Sequence, residues 1–227
     1  MRKKSCTTDE IMVMIGMNNA KEKVRKRYDG WSRFYDVFDL GGVTFEKKFA
    51  VDALRLKGNE VVLDFGTGTG AILPYLARKV PGGKVYAVDF SEKMVRKARM
   101  RLEKQNIKNV EVCVDDCENL SFSSNFFDCV LATFTFTSLP MPDKGAHEME
   151  RVLKPGGTFS VLETGKPKKW YLLPYYWLIK PTARIFGYTY IERDVPRMLL
   201  DAGLSIEALH RFGLTYCICG VKRKGKQ

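Results

Sequence analysis

The sequence predicts an α/β fold built on a doubly wound, mainly parallel seven-stranded sheet, with an antiparallel hairpin at the C-terminal end and a helical extension at the N-terminal end. Three observations predict it. From Glu60 to Glu163, short apolar runs alternate with segments of helical period, which calls for a parallel sheet covered by helices on both faces. The right-handed crossover rule then selects the doubly wound topology. Near the end, residues 205–211 and 214–221 are separated only by Phe212-Gly213, a break too short for a crossover, so this pair forms a hairpin.

With 227 residues, 45% hydrophobic and 28% charged, the chain can bury one sizeable core and little more. Residues 1–19 read as a weakly ordered leader and 20–227 as one domain, opened by N-terminal helices over 20–55. From Ala20 to Leu40, Val24, Tyr28, Trp31, Tyr35 and Phe38 recur at helical spacing. Strands are expected at 61–63, 84–89, 110–114, 127–132 and 158–163. A helix runs from the glycine turn after the first strand to Lys79. A second, with Ser91 as its N-cap, reaches about Lys104 and places Met94, Val95, Ala98 and Leu102 on one face. A third, over 144–153, stops at Lys154-Pro-Gly-Gly157.

Nothing in the chain reaches the roughly 20 consecutive apolar residues that span a bilayer. The basic start is followed by too short an apolar stretch for a signal peptide, interrupted by Asp9 and Glu10, and the expected location is the cytoplasm. The net charge of +12 suits an anionic partner, such as nucleic acid or a phospholipid surface; a solvated basic surface accounts for it as well. Six cysteines form no C-x-x-C pair, and only His147 and His210 stand by to complete a metal site, so no metal is expected. Cys113, Cys129, Cys217 and Cys219 fall in strand-like runs, where cysteine behaves as a small hydrophobe.

The chemistry is carried by Val62-Leu-Asp-Phe-Gly-Thr-Gly-Thr-Gly70, where the first strand turns toward a helix. Gly66, Gly68 and Gly70 allow a sharp turn and let a ligand approach backbone that has no Cβ atoms. The spacing is G-x-G-x-G, whereas a dinucleotide site shows G-x-G-x-x-G and aims a helix N-terminus at a pyrophosphate. Asp64, just before the glycines, repels phosphate and can accept from an ammonium group. The loop therefore fits a nucleoside that carries an amino-acid tail. Asp89 ends the second strand, where Rossmann-like folds place the carboxylate that accepts from ribose hydroxyls. Asp116, or its neighbour Asp115, follows the third strand and can accept from the exocyclic amine of adenine. All these positions lie at the carboxyl ends of parallel strands, where open α/β sheets bind ligands.

Taken with Val88-Asp-Phe-Ser-Glu-Lys-Met94, Asp116-Cys-Glu-Asn-Leu120 and Arg151-Val-Leu-Lys-Pro-Gly-Gly157, the loop resembles the class I S-adenosylmethionine (SAM)-dependent methyltransferases. The resemblance runs from about Tyr28 to Lys222. It implies a Rossmann-like fold, SAM as cofactor, and a pocket formed by Asp64, Phe65, Gly66, Thr67, Gly68 and Gly70. It further implies that Asp89 holds the ribose, Asp116 and Cys117 the adenine edge, and Phe90 and Met94 the adenine face. Thr133 would line the sulfonium. Tyr28 and Tyr35 would close over the methionine tail or else pack in the core.

Within that superfamily the chain is most similar to the ubiquinone/menaquinone C-methyltransferase group, through Tyr28-Asp29, Tyr35-Asp36, Glu163-Thr-Gly-Lys-Pro167 and the closing run Leu214-Thr-Tyr-Cys-Ile-Cys-Gly-Val-Lys222. Bacterial phosphatidylethanolamine-type N-methyltransferases share the paired Tyr-Asp motif. Quinone enzymes usually carry an Arg-Asn step after the fourth strand, and here the matching stretch is Phe136-Thr-Ser-Leu139.

The resemblance implies a small lipophilic acceptor, a quinone precursor ahead of a phospholipid amine. RNA ranks below both, because the fourth strand ends in Ala132-Thr-Phe-Thr135, which is not the Asn/Asp-Pro-Pro-Tyr/Phe loop that holds a base amine. A SAM-binding regulator without catalysis is the non-enzymatic alternative. Methyl transfer needs in-line alignment in a dry site more than covalent help, and no catalytic base stands out. The insert at 167–190 mixes Trp, Tyr and Leu with Lys and Arg. It reads either as a cap that completes the core or as a lid over an apolar acceptor cavity, with its outer face resting on anionic headgroups.

Overall fold

The computed structural model describes residues 44–167, 170–174, 176–178 and 192–224. The expected leader, the helical stretch at 20–40 with Tyr28 and Tyr35, and residues 179–191 of the insert lie outside the described residues.

Helix α1 (Phe45–Asp52) starts at Thr44, whose hydroxyl accepts from the Lys47 N–H and satisfies one of the first-turn donors. Then come β1 (Val61–Phe65), α2 (Leu73–Lys79), β2 (Lys84–Asp89), α3 (Glu92–Lys104), β3 (Val110–Val114), β4 (Phe127–Thr133), α4 (Pro142–Val152) and β5 (Leu153–Thr164). Past the insert lie α5 (Val195–Asp201), β6 (Leu204–Phe212) and β7 (Thr215–Lys222). Ser91 caps α3 as expected, accepting from the Met94 N–H.

The strands form one seven-stranded sheet in the order β3-β2-β1-β4-β5-β7-β6. Strands β1 to β5 pair in parallel, while β7 runs antiparallel to both β5 and β6. Successive side chains of β1 face opposite layers. Leu63 and Phe65 join α4 and α5 through Met149, Val152, Val195 and Leu199. Val62 joins α1, α2 and α3 through Ala50, Val51, Leu76 and Val95 on the other face.

Two expectations change. The stop at Lys154-Pro-Gly-Gly157 lies inside β5: Leu153 pairs with Phe127 and Thr158 with Cys129, and the register slips between them. Gly156, at φ +81°, absorbs the irregularity in the left-handed region. Helix α5 was not expected, because seven residues capped by Asp194 are too few to show a period.

His210 packs edge-on against Phe49 at 4.9 Å, and the exposed His147 bonds through its ring to the Asp143 carbonyl. Cys113, Cys117, Cys129, Cys217 and Cys219 are free thiols. Among the described residues no His/Cys/Asp/Glu group could hold a metal ion, and no helix is long and apolar enough to cross a membrane.

Candidate active site

The sheet's topological switch lies between β1 and β4, whose chain connections lead to opposite sides, and open α/β sheets bind ligands in that crevice. A cavity of about 370 Å³ opens there, within the range of small-molecule sites. Four loops from the carboxyl ends of β1, β2, β3 and β4 line it, and the first turn of α1 borders it.

The glycine loop is fastened to β2. Gly66 N–H and Thr67 N–H both donate to the Val88 carbonyl, at 3.0 and 2.8 Å. Gly68 N–H donates to Asp89 Oδ2 at 2.8 Å, and Ser91 N–H donates to Asp89 Oδ1 at 2.8 Å. Two backbone donors thus fix the Asp89 carboxylate at the cavity wall, and each of its oxygens has lone-pair capacity beyond the bond it accepts. A Cβ added at Gly68, at φ +56°, would meet nothing within 4 Å, so this backbone faces open space.

Gly66 is different. At φ +80° its missing Cβ would sit 2.5 Å from Thr135 Cγ2, and the Thr135 hydroxyl donates to the Phe65 carbonyl at 2.8 Å. Backbone strain and overlap act together, so Gly66→Ala should destabilise the fold by about 2 kcal/mol. In thermal unfolding that is a fall of roughly 4–8 °C for a domain this size.

Asp64 lies beneath the loop and is fully buried. The Thr67 hydroxyl and Lys47 are near enough to favour its charged form, yet neither carboxylate oxygen meets a donor at hydrogen-bonding distance. Burial pushes this carboxyl up to about 6. A buried carboxylate in that condition costs several kcal/mol unless a donor arrives. The Thr67 hydroxyl, also buried, faces that carboxylate without completing a hydrogen bond to it.

After β3, the two aspartates differ in the turns they hold. Asp115 accepts through Oδ2 from Ser121 N–H and Oγ–H, at 3.0 and 2.8 Å, and does not border the cavity. Asp116 borders it, bracing the turn through Oδ1 with Glu118 N–H at 2.9 Å. Cys117 is buried beside it, and burial, reinforced by Asp89 and Asp116, holds its thiol well above the usual range and therefore neutral.

After β4 the wall runs through Thr133, Phe134, Thr135, Ser138, Leu139 and Pro140. Phe134 stands at φ +59°, an uncommon conformation for a bulky residue and one that recurs at functional sites. The loop is held from behind. Glu163, fully buried, accepts from Phe136 N–H at 2.6 Å and from the Thr137 hydroxyl at 2.9 Å. Arg193 donates to the Phe136 and Leu139 carbonyls at 2.8 and 2.5 Å. The stretch where quinone enzymes carry Arg-Asn is therefore a packed, doubly anchored element, with Phe136 stacked on Phe65 at 5.8 Å.

Residues 62–157 match the family model of a methyltransferase domain. The ubiquinone/menaquinone biosynthesis C-methyltransferase UbiE of Escherichia coli O1:K1 is 35% identical over 146 residues, 63% of this chain and 57% of that protein. A SAM-dependent methyltransferase from Aquifex aeolicus superposes with a TM-score of 0.65 at 28% identity, covering 89% of this chain and 98% of that one. Residues 62–157 form a SAM-dependent methyltransferase domain. SAM is the cofactor of such domains. A methyltransferase bound to the Trm112 activator from Haloferax volcanii, at 20% identity and a TM-score of 0.70, shares the fold. The chain spans 57% of the length of the curated relative it matches.

Of the residues expected in the methyltransferase pocket, Gly66, Thr67, Gly68, Asp89, Phe90, Met94, Asp116, Cys117 and Thr133 border the cavity. Asp64, Phe65 and Gly70 do not: Asp64 lies under the loop, Phe65 in the core, and Gly70 against Ala98, which a Cβ would meet at 2.8 Å. Tyr28 and Tyr35 lie outside the described residues. Thr44, Glu46, Lys47 and Thr215 also border the cavity, and sequence reasoning passed over them. No motif marks them, since only the packing of α1 and β7 brings them to the mouth.

Proposed function

We propose that this protein transfers the methyl group of SAM to a small lipophilic acceptor, with a quinone precursor as the leading candidate. The observation that carries the cofactor placement is the fully buried Asp64 carboxylate with no donor, under a glycine loop whose Gly68 backbone faces open space. An ammonium group answers the first feature and a closely approaching nucleoside the second. Asp89 would accept from the ribose hydroxyls, Asp116 from the adenine amine, and Phe90 and Met94 would flank the ring. When bound, SAM supplies a sulfonium-activated methyl group. Thr133 and the anchored loop behind it would exclude water and orient the acceptor, which is the main demand of an in-line transfer. Neutral Cys117 would serve as packing, with no nucleophilic part.

The likeness to a quinone C-methyltransferase supports the acceptor class. The Phe136–Leu139 departure makes the phospholipid amine the second reading, and the insert favours a lipid setting for either. Tyr176 is fully buried, so part of the insert completes the core, while Trp170 and Leu178 are 79% and 74% exposed and Tyr171 and Trp177 more than half exposed. Exposed Trp and Tyr beside Lys166 suit a membrane interface, where each basic contact adds about 1 kcal/mol. The chain should cosediment with anionic vesicles at low salt and be released as salt screens the contacts. Trp170→Ala combined with Trp177→Ala should abolish cosedimentation with only a small fall in melting temperature, because Trp170 is mostly exposed and Trp177, more than half exposed, touches the core through an edge-on contact with Tyr176 at 5.9 Å. Retained cosedimentation would remove the lipid-contact reading.

The acceptor is tested by incubating the protein with methyl-labelled SAM and separate quinone, phospholipid and RNA fractions. Label in the quinone fraction is the expected result. Label confined to phospholipid would favour the second reading, and label in RNA alone would overturn the proposal.

A further inference from the structure

We propose that α1, which lies outside the matched residues 62–157, completes the cofactor site by recognising the carboxylate of an α-amino-acid tail, with Lys47 as the cation and the Thr67 hydroxyl as a second donor. This rests on the placement of SAM proposed above. Asp64 lies on the same face of β1 as Val62, and that face packs against Ala50 and Val51 of α1. Lys47 lies three and four residues before them, on the same side of the helix, and borders the cavity. It is close enough to Asp64 for its charge to favour the ionised carboxylate. Thr44 places the N-terminal end of α1 at the cavity too, and the helix dipole makes that end electropositive.

The cavity is therefore bordered by a cation, Lys47, an electropositive helix end and the Thr67 hydroxyl, with a buried anion, Asp64, directly behind that hydroxyl. A simple carboxylate would be repelled by Asp64, and a simple amine by Lys47. An α-amino acid, with ammonium and carboxylate on one carbon, satisfies both. Glu46 borders the cavity on the same turn of α1 and opposes an incoming carboxylate, which makes it a useful control.

The test compares S-adenosylhomocysteine with 5′-methylthioadenosine, which keeps the adenosine and sulfur but lacks the amino-acid tail, by equilibrium binding. Lys47→Met should weaken S-adenosylhomocysteine about tenfold or more, the effect of one charge-assisted contact, and leave methylthioadenosine unchanged. Lys47→Arg should retain most of the affinity, and Glu46→Gln should preserve or tighten it. Equal losses for both ligands, no loss for either, or a loss in Glu46→Gln matching that in Lys47→Met would overturn the assignment of Lys47 and leave the cofactor site standing. Failure of the native chain to bind S-adenosylhomocysteine would overturn the cofactor placement and this inference together.

Discussion

Asp89→Ala is expected to weaken S-adenosylhomocysteine by about 2–3 kcal/mol, a loss of roughly 30- to 150-fold in affinity. Two contributions combine. The first is direct, because the carboxylate that would accept from the ribose hydroxyls is gone. The second is positional: Gly68 N–H and Ser91 N–H both end on that carboxylate, so its removal frees the tip of the glycine loop and the cap of α3. Asp89→Asn separates the two. It keeps an acceptor for one backbone donor but turns the other oxygen into an NH₂ group, so it should recover part of the loop order and little of the ribose recognition. Binding measured by intrinsic fluorescence in the three proteins, with melting curves in parallel, distinguishes these effects. Unchanged affinity in Asp89→Ala would place the ribose elsewhere.

The second large effect is on stability against pH. Burial holds Asp64 up to about 6 from 3.8 and Glu163 up to about 7 from 4.5. The folded chain therefore binds these protons more tightly than the unfolded chain does, and stability must fall as pH rises through each window. Each group costs about 1.4 kcal/mol per pH unit inside its window. Denaturant midpoints of the ligand-free protein should decline between about pH 4 and 7 and level off above. Glu163→Gln keeps an acceptor for Phe136 N–H but cannot ionise, so it should flatten the upper part of the decline, and above pH 7 it should match or exceed the native protein. S-adenosylhomocysteine should oppose the Asp64 part, since an ammonium on that carboxylate favours its charged form. An identical slope in Glu163→Gln and the native chain would show that Glu163 is already ionised at low pH.

Much of this site is legible in the sequence because its parts are local. A glycine loop, a carboxylate before it and a carboxylate at the next strand end are separated by fixed runs of chain, and the parallel sheet brings those ends together whatever else varies. Strand alternation announced the sheet, and the two-residue break at Phe212-Gly213 announced the antiparallel pair β6 and β7. What was not legible depends on contacts between distant segments. Lys47 carries no motif, and only the seating of Ala50 and Val51 on the β1 face brings it to the cavity. Asp115 and Asp116 are the same residue type, one position apart, and the bonds from Ser121 to Asp115 separate them. The Pro-Gly-Gly run after α4 has the composition of a stop, yet pairing with β4 draws it into β5 as an irregularity. The insert shows the same limit within nine residues: Tyr176 goes into the core and Trp170 and Leu178 into solvent, although all three are large and apolar.

Titration calorimetry of the native chain with S-adenosylhomocysteine, set beside the same titration with NAD, tests the assignment of this cavity most directly. One molecule of S-adenosylhomocysteine should bind per chain at micromolar affinity or tighter, because Asp64 and Asp89 would meet an ammonium and a ribose. NAD should show no measurable binding, because its pyrophosphate would face a carboxylate where a dinucleotide site offers a helix N-terminus. Binding of NAD with none of S-adenosylhomocysteine would make this cavity a dinucleotide site instead.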